Sequence, residues 1–256
     1  MTDSNGSAPP IALLRPGDPF PPLTCAWDAD SPAPGLLAAG GALDVPTLTA
    51  AYRQTIFPWF SVGEPILWWS PDPRMVLDVG EFRLHRSLRK TLARLAADPA
   101  YEIRFDSAFG DVMARCAAAP RPGQSGTWIV PPMRRAYAAL HRAGHAHSVE
   151  VWIGGELAAG LYCVALGHAV FGESMFTTVT DGSKIALCAL VAFCRAHGIP
   201  LIDCQQNTRH LAFMGARERS RAGFAAQVEQ LTAQPAPAWP AGPFDPIYWK
   251  ALSPAF

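Results

Sequence analysis

The chain has 256 residues, of which half are hydrophobic and 16% charged, and its formal net charge is zero. That charged fraction is low against the roughly 25% usual for globular domains. The neutral balance excludes a uniformly basic nucleic-acid coat but leaves room for a local basic patch. The length suffices for one large domain or two modest ones.

Residues 1–35 are proline-rich and expected to be irregular. The first ten lack the charged start and apolar centre of a signal peptide. No apolar run approaches the roughly 20 residues that span a membrane, so a cytoplasmic protein with no membrane partner is expected. Cys25, Cys116, Cys163, Cys188, Cys194 and Cys204 form no C-x-x-C pair and read as reduced, mostly buried small hydrophobes.

A short helix is expected over 46–56, with Asp44 as its cap and Pro46 in its first turn. The aromatic segment FPWFSVGEPILWWSPDPR follows, whose prolines and Gly-Glu turn forbid a regular helix. A domain boundary is placed at its end, giving domains 1–73 and 74–256. Beyond it the pattern gives a strand at 75–79, a basic helix at 83–96, a strand at 101–105 and helices at 107–118 and 132–143.

Strands are expected at 147–153, 156–166 and 168–171, the first two joined by a Gly154-Gly155 turn. An amphipathic helix capped by Ser183 covers 183–197. It leads to a strand at 199–204 and a last helix at 220–232. Trp239, Phe244, Tyr248 and Trp249 interrupt the proline-rich tail, which is therefore expected to dock on the body. Together these elements describe an α+β protein with a mixed, largely antiparallel sheet. The succession hairpin, helix, strand in the second half fits an acetyltransferase-like arrangement among others.

Leu201-Ile202-Asp203-Cys204-Gln205 runs from apolar residues into a carboxylate and an amide. Such a strand exit either carries chemistry or caps the next turn. Glu173 stands between Phe171 and Phe176, where a carboxylate is poorly solvated unless it is paired or turned to water. Trp59, Trp68, Trp69 and Trp128 either stack on bases or pack. The basic helix carries Arg83, His85, Arg86, Arg89, Lys90 and Arg94, with Arg86, Arg89, Lys90 and Arg94 on one side, a face that either cradles phosphates or is simply solvated. His145 and His147 share a strand face, but no further ligand type stands near them to complete a metal set. No Gly-rich pyrophosphate turn precedes the helix at 183, and no dinucleotide or Walker loop occurs elsewhere. An acyl carrier other than coenzyme A is expected.

FPWF with WWSPDPR, then GTWI, GHAHSVEVW, GLYCVALG, FGESMF, LIDCQ and HL...GA give a chain that resembles leucyl/phenylalanyl-tRNA–protein transferase from about residue 35 to 224. The resemblance implies a small N-terminal α/β domain packed on an acetyltransferase-like (GNAT-type) domain. It implies transfer of Leu, Phe or Met from aminoacyl-tRNA to the N-terminal Arg or Lys of a protein, marking that protein for degradation through the N-degron pathway. It implies no cofactor and no metal, and a monomer is expected.

By the same resemblance Asp203 and Gln205 are the catalytic pair, with Asp203 orienting the α-ammonium and accepting its proton. Trp59 and Trp128 contact the terminal adenosine, with Tyr52 and Glu173 nearby. Leu161, Met175, Leu190, Cys194 and Ile202 line the pocket for the transferred side chain. Arg83, Arg86, Arg89 and Lys90 are placed on tRNA phosphates. Thr177, Cys163, Phe213, Cys194 and Leu190 depart from the family's usual residues, the last two within the pocket.

Overall fold

A computed structural model describes residues 10–120 and 127–252; residues 1–9, 121–126 (with Ser125 and Gly126 of the loop ahead of Trp128) and 253–256 fall outside them. The first sheet contains β1 (Ala12–Leu14), β2 (Leu36–Gly40), β3 (Phe57–Pro58) and β4 (Leu67–Trp69), with α1 (Val45–Arg53) between β2 and β3. Its order is β1-β2-β4-β3. Asp44 caps α1 by accepting from Thr47 N at 2.8 Å, as its sequence position suggests. The aromatic segment is thus strand and turn, not helix.

The larger sheet begins with β5 (Arg74–Asp78), and α2 (Arg86–Ala96), β6 (Tyr101–Phe105), α3 (Phe109–Ala118) and α4 (Pro131–Arg142) follow. Next come β7 (Ala146–Ile153), β8 (Glu156–Leu166), β9 (Ala169–Thr177), α5 (Gly182–Ala196) and β10 (Leu201–Gln205). The chain then forms α6 (Arg209–Phe213), β11 (Arg217–Arg219), α7 (Arg221–Thr232), β12 (Gly242–Pro243) and α8 (Tyr248–Leu252). The sheet order is β11-β5-β10-β9-β8-β7-β6-β12. Among the described residues of this sheet, only the β9–β10 pair is parallel, because α5 carries the chain back across the sheet between them. This is an α+β fold. The turn between β7 and β8 places Gly154 and Gly155 at φ 58° and 83°, the left-handed region in which glycine is favoured.

Each face of the large sheet is covered. One core joins α1, α3, α4 and α7 to the N-terminal sheet. The other gathers α2, α5 and α8. Strand β8 is buried along nearly its whole length, as a central strand covered on both faces should be.

Three expectations change. Helix α5 is buried almost all round rather than amphipathic, because the C-terminal tail covers its outer side. Arg195 fastens that tail by donating to the carbonyls of Val79 (3.0 Å) and Leu252 (3.1 Å). Ser183 lies inside the helix; Asp181, with φ 62°, precedes it and makes no side-chain cap. Strand β9 runs six residues past Phe171, because a bulge lets the polar Gly172-Glu173-Ser174 stretch stay in the sheet. The tail docks as expected: β12 pairs with β6, and Trp239 stacks on His147 at 4.0 Å.

Candidate active site

Pairing between the parallel strands ends at Asp203 opposite Phe171, although both strands continue. Past that point they part, and a cavity of about 350 Å³ opens between them, within the usual size range of small-ligand pockets. Gly172 stands at the fork, where an added Cβ would lie 3.2 Å from the Asp203 carbonyl oxygen.

Two bulges aim the polar groups. On β9, Gly172 faces Cys163 and Ser174 faces Tyr162, so Glu173 has no partner across the ladder. On β10, Asp203 faces Val76 and Gln205 faces Met75, which leaves Cys204 as the extra residue. Bulges re-aim side chains next to functional sites. Gln205 adopts φ 59°, a conformation uncommon for any residue other than glycine. It is held there by its own N–H, which donates to Asp203 Oδ1 at 2.8 Å.

Asp203 is fully buried and its oxygens are occupied. Arg74 Nε donates to Oδ1 at 2.9 Å and Nη2 to Oδ2 at 2.7 Å. Arg74 is itself buried and lies between the rings of Phe57 (4.8 Å) and Phe224 (5.2 Å). The carboxylate is therefore neutralised within the protein, whereas the family resemblance implies one that orients an incoming ammonium.

Glu173 is the second carboxylate. Tyr52 Oη donates to Oε1 at 2.7 Å, Tyr137 Oη to Oε2 at 3.2 Å and Gln205 Nε2 to Oε1 at 3.2 Å. The two tyrosine hydroxyls also bond each other. Burial pushes the Glu173 pKa up to about 7, the Tyr52 bond opposes that rise, and the Asp203 charge adds to it. Tyr137 and Arg74 contribute smaller lowering effects. Burial also drives both tyrosine hydroxyls well above their ordinary value, so they remain donors.

The apolar lining of the cavity includes Leu161, Met175, Leu187, Leu190 and Ile202. At its mouth stand Trp59 and Trp128, both half-buried. Trp69 supports Trp59 edge-on at 5.4 Å and donates to its carbonyl at 2.7 Å. Trp68 is core, with its indole N–H on the Gly40 carbonyl.

Two of the expected residues do not reach the wall. Tyr52 stands behind Glu173, with its ring fully buried. Cys194 is fully buried beside Cys163. It is one helical turn beyond Leu190, about 6 Å farther along α5. The wall position that the sequence missed is Leu187, one turn the other way and legible as i−3 from Leu190. Arg74 and Tyr137 were missed as well. Arg74 looked like a domain border, and Tyr137 looked like one more apolar position on a helix face.

Arg83, Arg86, Arg89 and Lys90 are exposed and lie away from the cavity. Helix α6 links the two regions. His210 and Leu211 line the cavity rim, and Phe213 at its far end stacks on His85 at 3.8 Å, just before α2. His147 Nδ1 donates to Asp106 Oδ2 at 2.7 Å. Among the described residues, no three His, Cys, Asp or Glu side chains gather as a metal site.

The family model for the leucyl/phenylalanyl-tRNA protein transferase matches residues 76–229, and the model for its N-terminal domain matches 41–72. The chain belongs to the leucyl/phenylalanyl-tRNA–protein transferase family. It is 61% identical to the transferase of that name from Polaromonas sp., over 95% of this chain and 94% of that one. It is 59% identical to the transferase from Albidiferax ferrireducens, over 95% of each. Among solved structures, FemX covers 73% of this chain and 71% of its own, at 12% identity and a TM-score of 0.43. As a leucyl/phenylalanyl-tRNA–protein transferase, the chain is an aminoacyltransferase. Among the described residues no helix is long and apolar enough to cross a membrane.

Proposed function

We propose that this cavity receives the aminoacyl end of a charged tRNA and joins its amino acid to the N-terminal Arg or Lys of a protein. The observation that carries this reading is the mixed lining of one cavity. An apolar pouch of Leu161, Met175, Leu187, Leu190 and Ile202, the half-buried indoles of Trp59 and Trp128, and the Gln205 amide all line it. An esterified Leu, Phe or Met side chain fits the pouch, an adenine ring stacks on the indoles, and the ester falls beside Gln205.

An amide is not basic, so Gln205 holds the ester carbonyl or the incoming amine by hydrogen bonds. Asp203 keeps Gln205 in its strained backbone position and balances Arg74. Aminolysis of an ester needs little more than a neutral, well-placed amine. Arg83, Arg86, Arg89 and Lys90 form the phosphate-binding surface, and α6 marks the path from it to the cavity. The reading further includes domains divided at residues 73 and 74, a monomer, a cytoplasmic location and release of acceptors to the N-degron pathway.

The test is a transfer assay with Phe-tRNA and an Arg-starting peptide. The expected result is a Phe-Arg peptide, with uncharged tRNA acting as a competitor. Absence of product with Leu-, Phe- and Met-tRNA overturns the reading.

A further inference from the structure

We propose that Glu173 takes the proton of the attacking amine and returns it to the ribose oxygen, and that Asp203 is a positioning residue. The inference rests on the aminoacyl-transfer reading above and deepens it.

The two carboxylates near Gln205 have opposite circumstances. Asp203 Oδ1 accepts from Arg74 Nε and from Gln205 N, and Oδ2 accepts from Arg74 Nη2. It is fully buried, and a proton placed on it would break a bidentate ion pair in a medium that penalises unpaired charge. Among the described residues, no cation is hydrogen-bonded to Glu173. Its partners are two hydroxyls and one amide, all of which tolerate a neutral carboxyl. The unpaired bulge position turns it into the cavity wall, next to the amide that holds the reacting groups. With a pKa near 7, Glu173 is close to the ideal for a group that both accepts and donates near neutrality.

The step balances. The neutral α-amine attacks the ester carbonyl carbon, and a C–N bond forms. Glu173 carboxylate takes one N–H proton. The C–O bond to ribose breaks, and the protonated Glu173 returns the proton to the departing ribose oxygen. The products are a peptide bond and a free hydroxyl, with Glu173 ionised again. Gln205 Nε2 is committed to Glu173, which leaves its carbonyl oxygen to orient the amine. Ionisable and charged groups face Glu173 from every side: Tyr52 from α1, Tyr137 from α4, Asp203 from β10, Arg74 from β5 and Cys163 from β8.

The experiment is single-turnover transfer at saturating Phe-tRNA and Arg-starting peptide, from about pH 5.5 to about pH 9. The wild-type rate should rise with pH through a limb near 7. Tyr52→Phe removes the donor that holds that value down, so its limb should move to higher pH with KM for Phe-tRNA unchanged. The pKa of the amine substrate is the same for both proteins and cannot produce that movement. Glu173→Gln should lose roughly 10²–10⁴-fold in rate and keep only a limb that follows the amine of the acceptor. A Glu173→Gln rate and profile within twofold of wild type, or a Tyr52→Phe limb that does not move, overturns the proposal. A wild-type chain that transfers from no aminoacyl-tRNA overturns instead the reading on which the proposal rests.

Discussion

The side-chain amide of Gln205 donates to Glu173 Oε1 at 3.2 Å across the gap where β9 and β10 part. This contact joins two bulged strands, and its neighbours lie on α1, α4 and β5. Substitutions around it separate stability from chemistry.

Asp203→Asn leaves Arg74 buried beside a neutral amide. Breaking one half of a buried ion pair costs about 3–5 kcal/mol, so urea denaturation should show a loss of that order. The double variant Arg74→Met/Asp203→Leu should recover part of it while the transfer rate stays low, because Gln205 loses its backbone anchor.

Glu173→Gln should have the opposite effect on stability. The folded-state pKa lies above the ordinary 4.5, at about 7. The native state therefore holds a proton that the unfolded chain releases, and wild-type stability from this group falls as pH rises from 4.5 through 7. The variant lacks that loss. It should be more stable than wild type at pH 8 by on the order of 1–3 kcal/mol, with the gain disappearing towards pH 4. Thermal melts of both proteins across that range check the sign.

Trp128→Ala removes one stacking face at the cavity mouth. A stacked base is worth about 1–3 kcal/mol, so KM for Phe-tRNA should rise roughly 5- to 150-fold with kcat nearly unchanged. An unchanged KM would assign Trp128 to packing.

Leu190→Phe narrows the apolar pouch and should lower transfer of Phe more than of Leu, by roughly 10-fold or more in the ratio of kcat/KM values. Cys194→Ala, one turn deeper, should leave that ratio unchanged because its side chain does not face the cavity. Competition between Leu-tRNA and Phe-tRNA measures both.

Much of the fold was legible because local signals were strong. Asp44 followed by Pro46 started α1, Gly154-Gly155 closed the β7–β8 hairpin, and the aromatic tail docked as its composition suggested. The residues 201–205 were recognisable as a strand running into polar groups. The partnership of Arg74 with Asp203 was not legible, because the two stand 129 residues apart and an arginine after Asp-Pro looks like a linker. Glu173 was conspicuous, but its surroundings were not. The bulge that aims it breaks the period-two alternation that marks a strand, so the sequence pattern ends at Phe171. Of the two tyrosines that hold Glu173, Tyr137 falls on the apolar face of its helix and reads as core, while Tyr52 stands out only through the family resemblance.

The ion pair of Arg74 with Asp203 has a consequence for how the chain is made. With 129 residues between them, a ribosome adding about 5–20 residues per second delivers the aspartate roughly 6–26 s after the arginine. During that interval the neighbours of β5 in the finished sheet, β10 and β11, do not yet exist. The nascent Met75-Val76-Leu77 stretch, led by Arg74, therefore cannot take its place in the large sheet until the last quarter of the chain has been made.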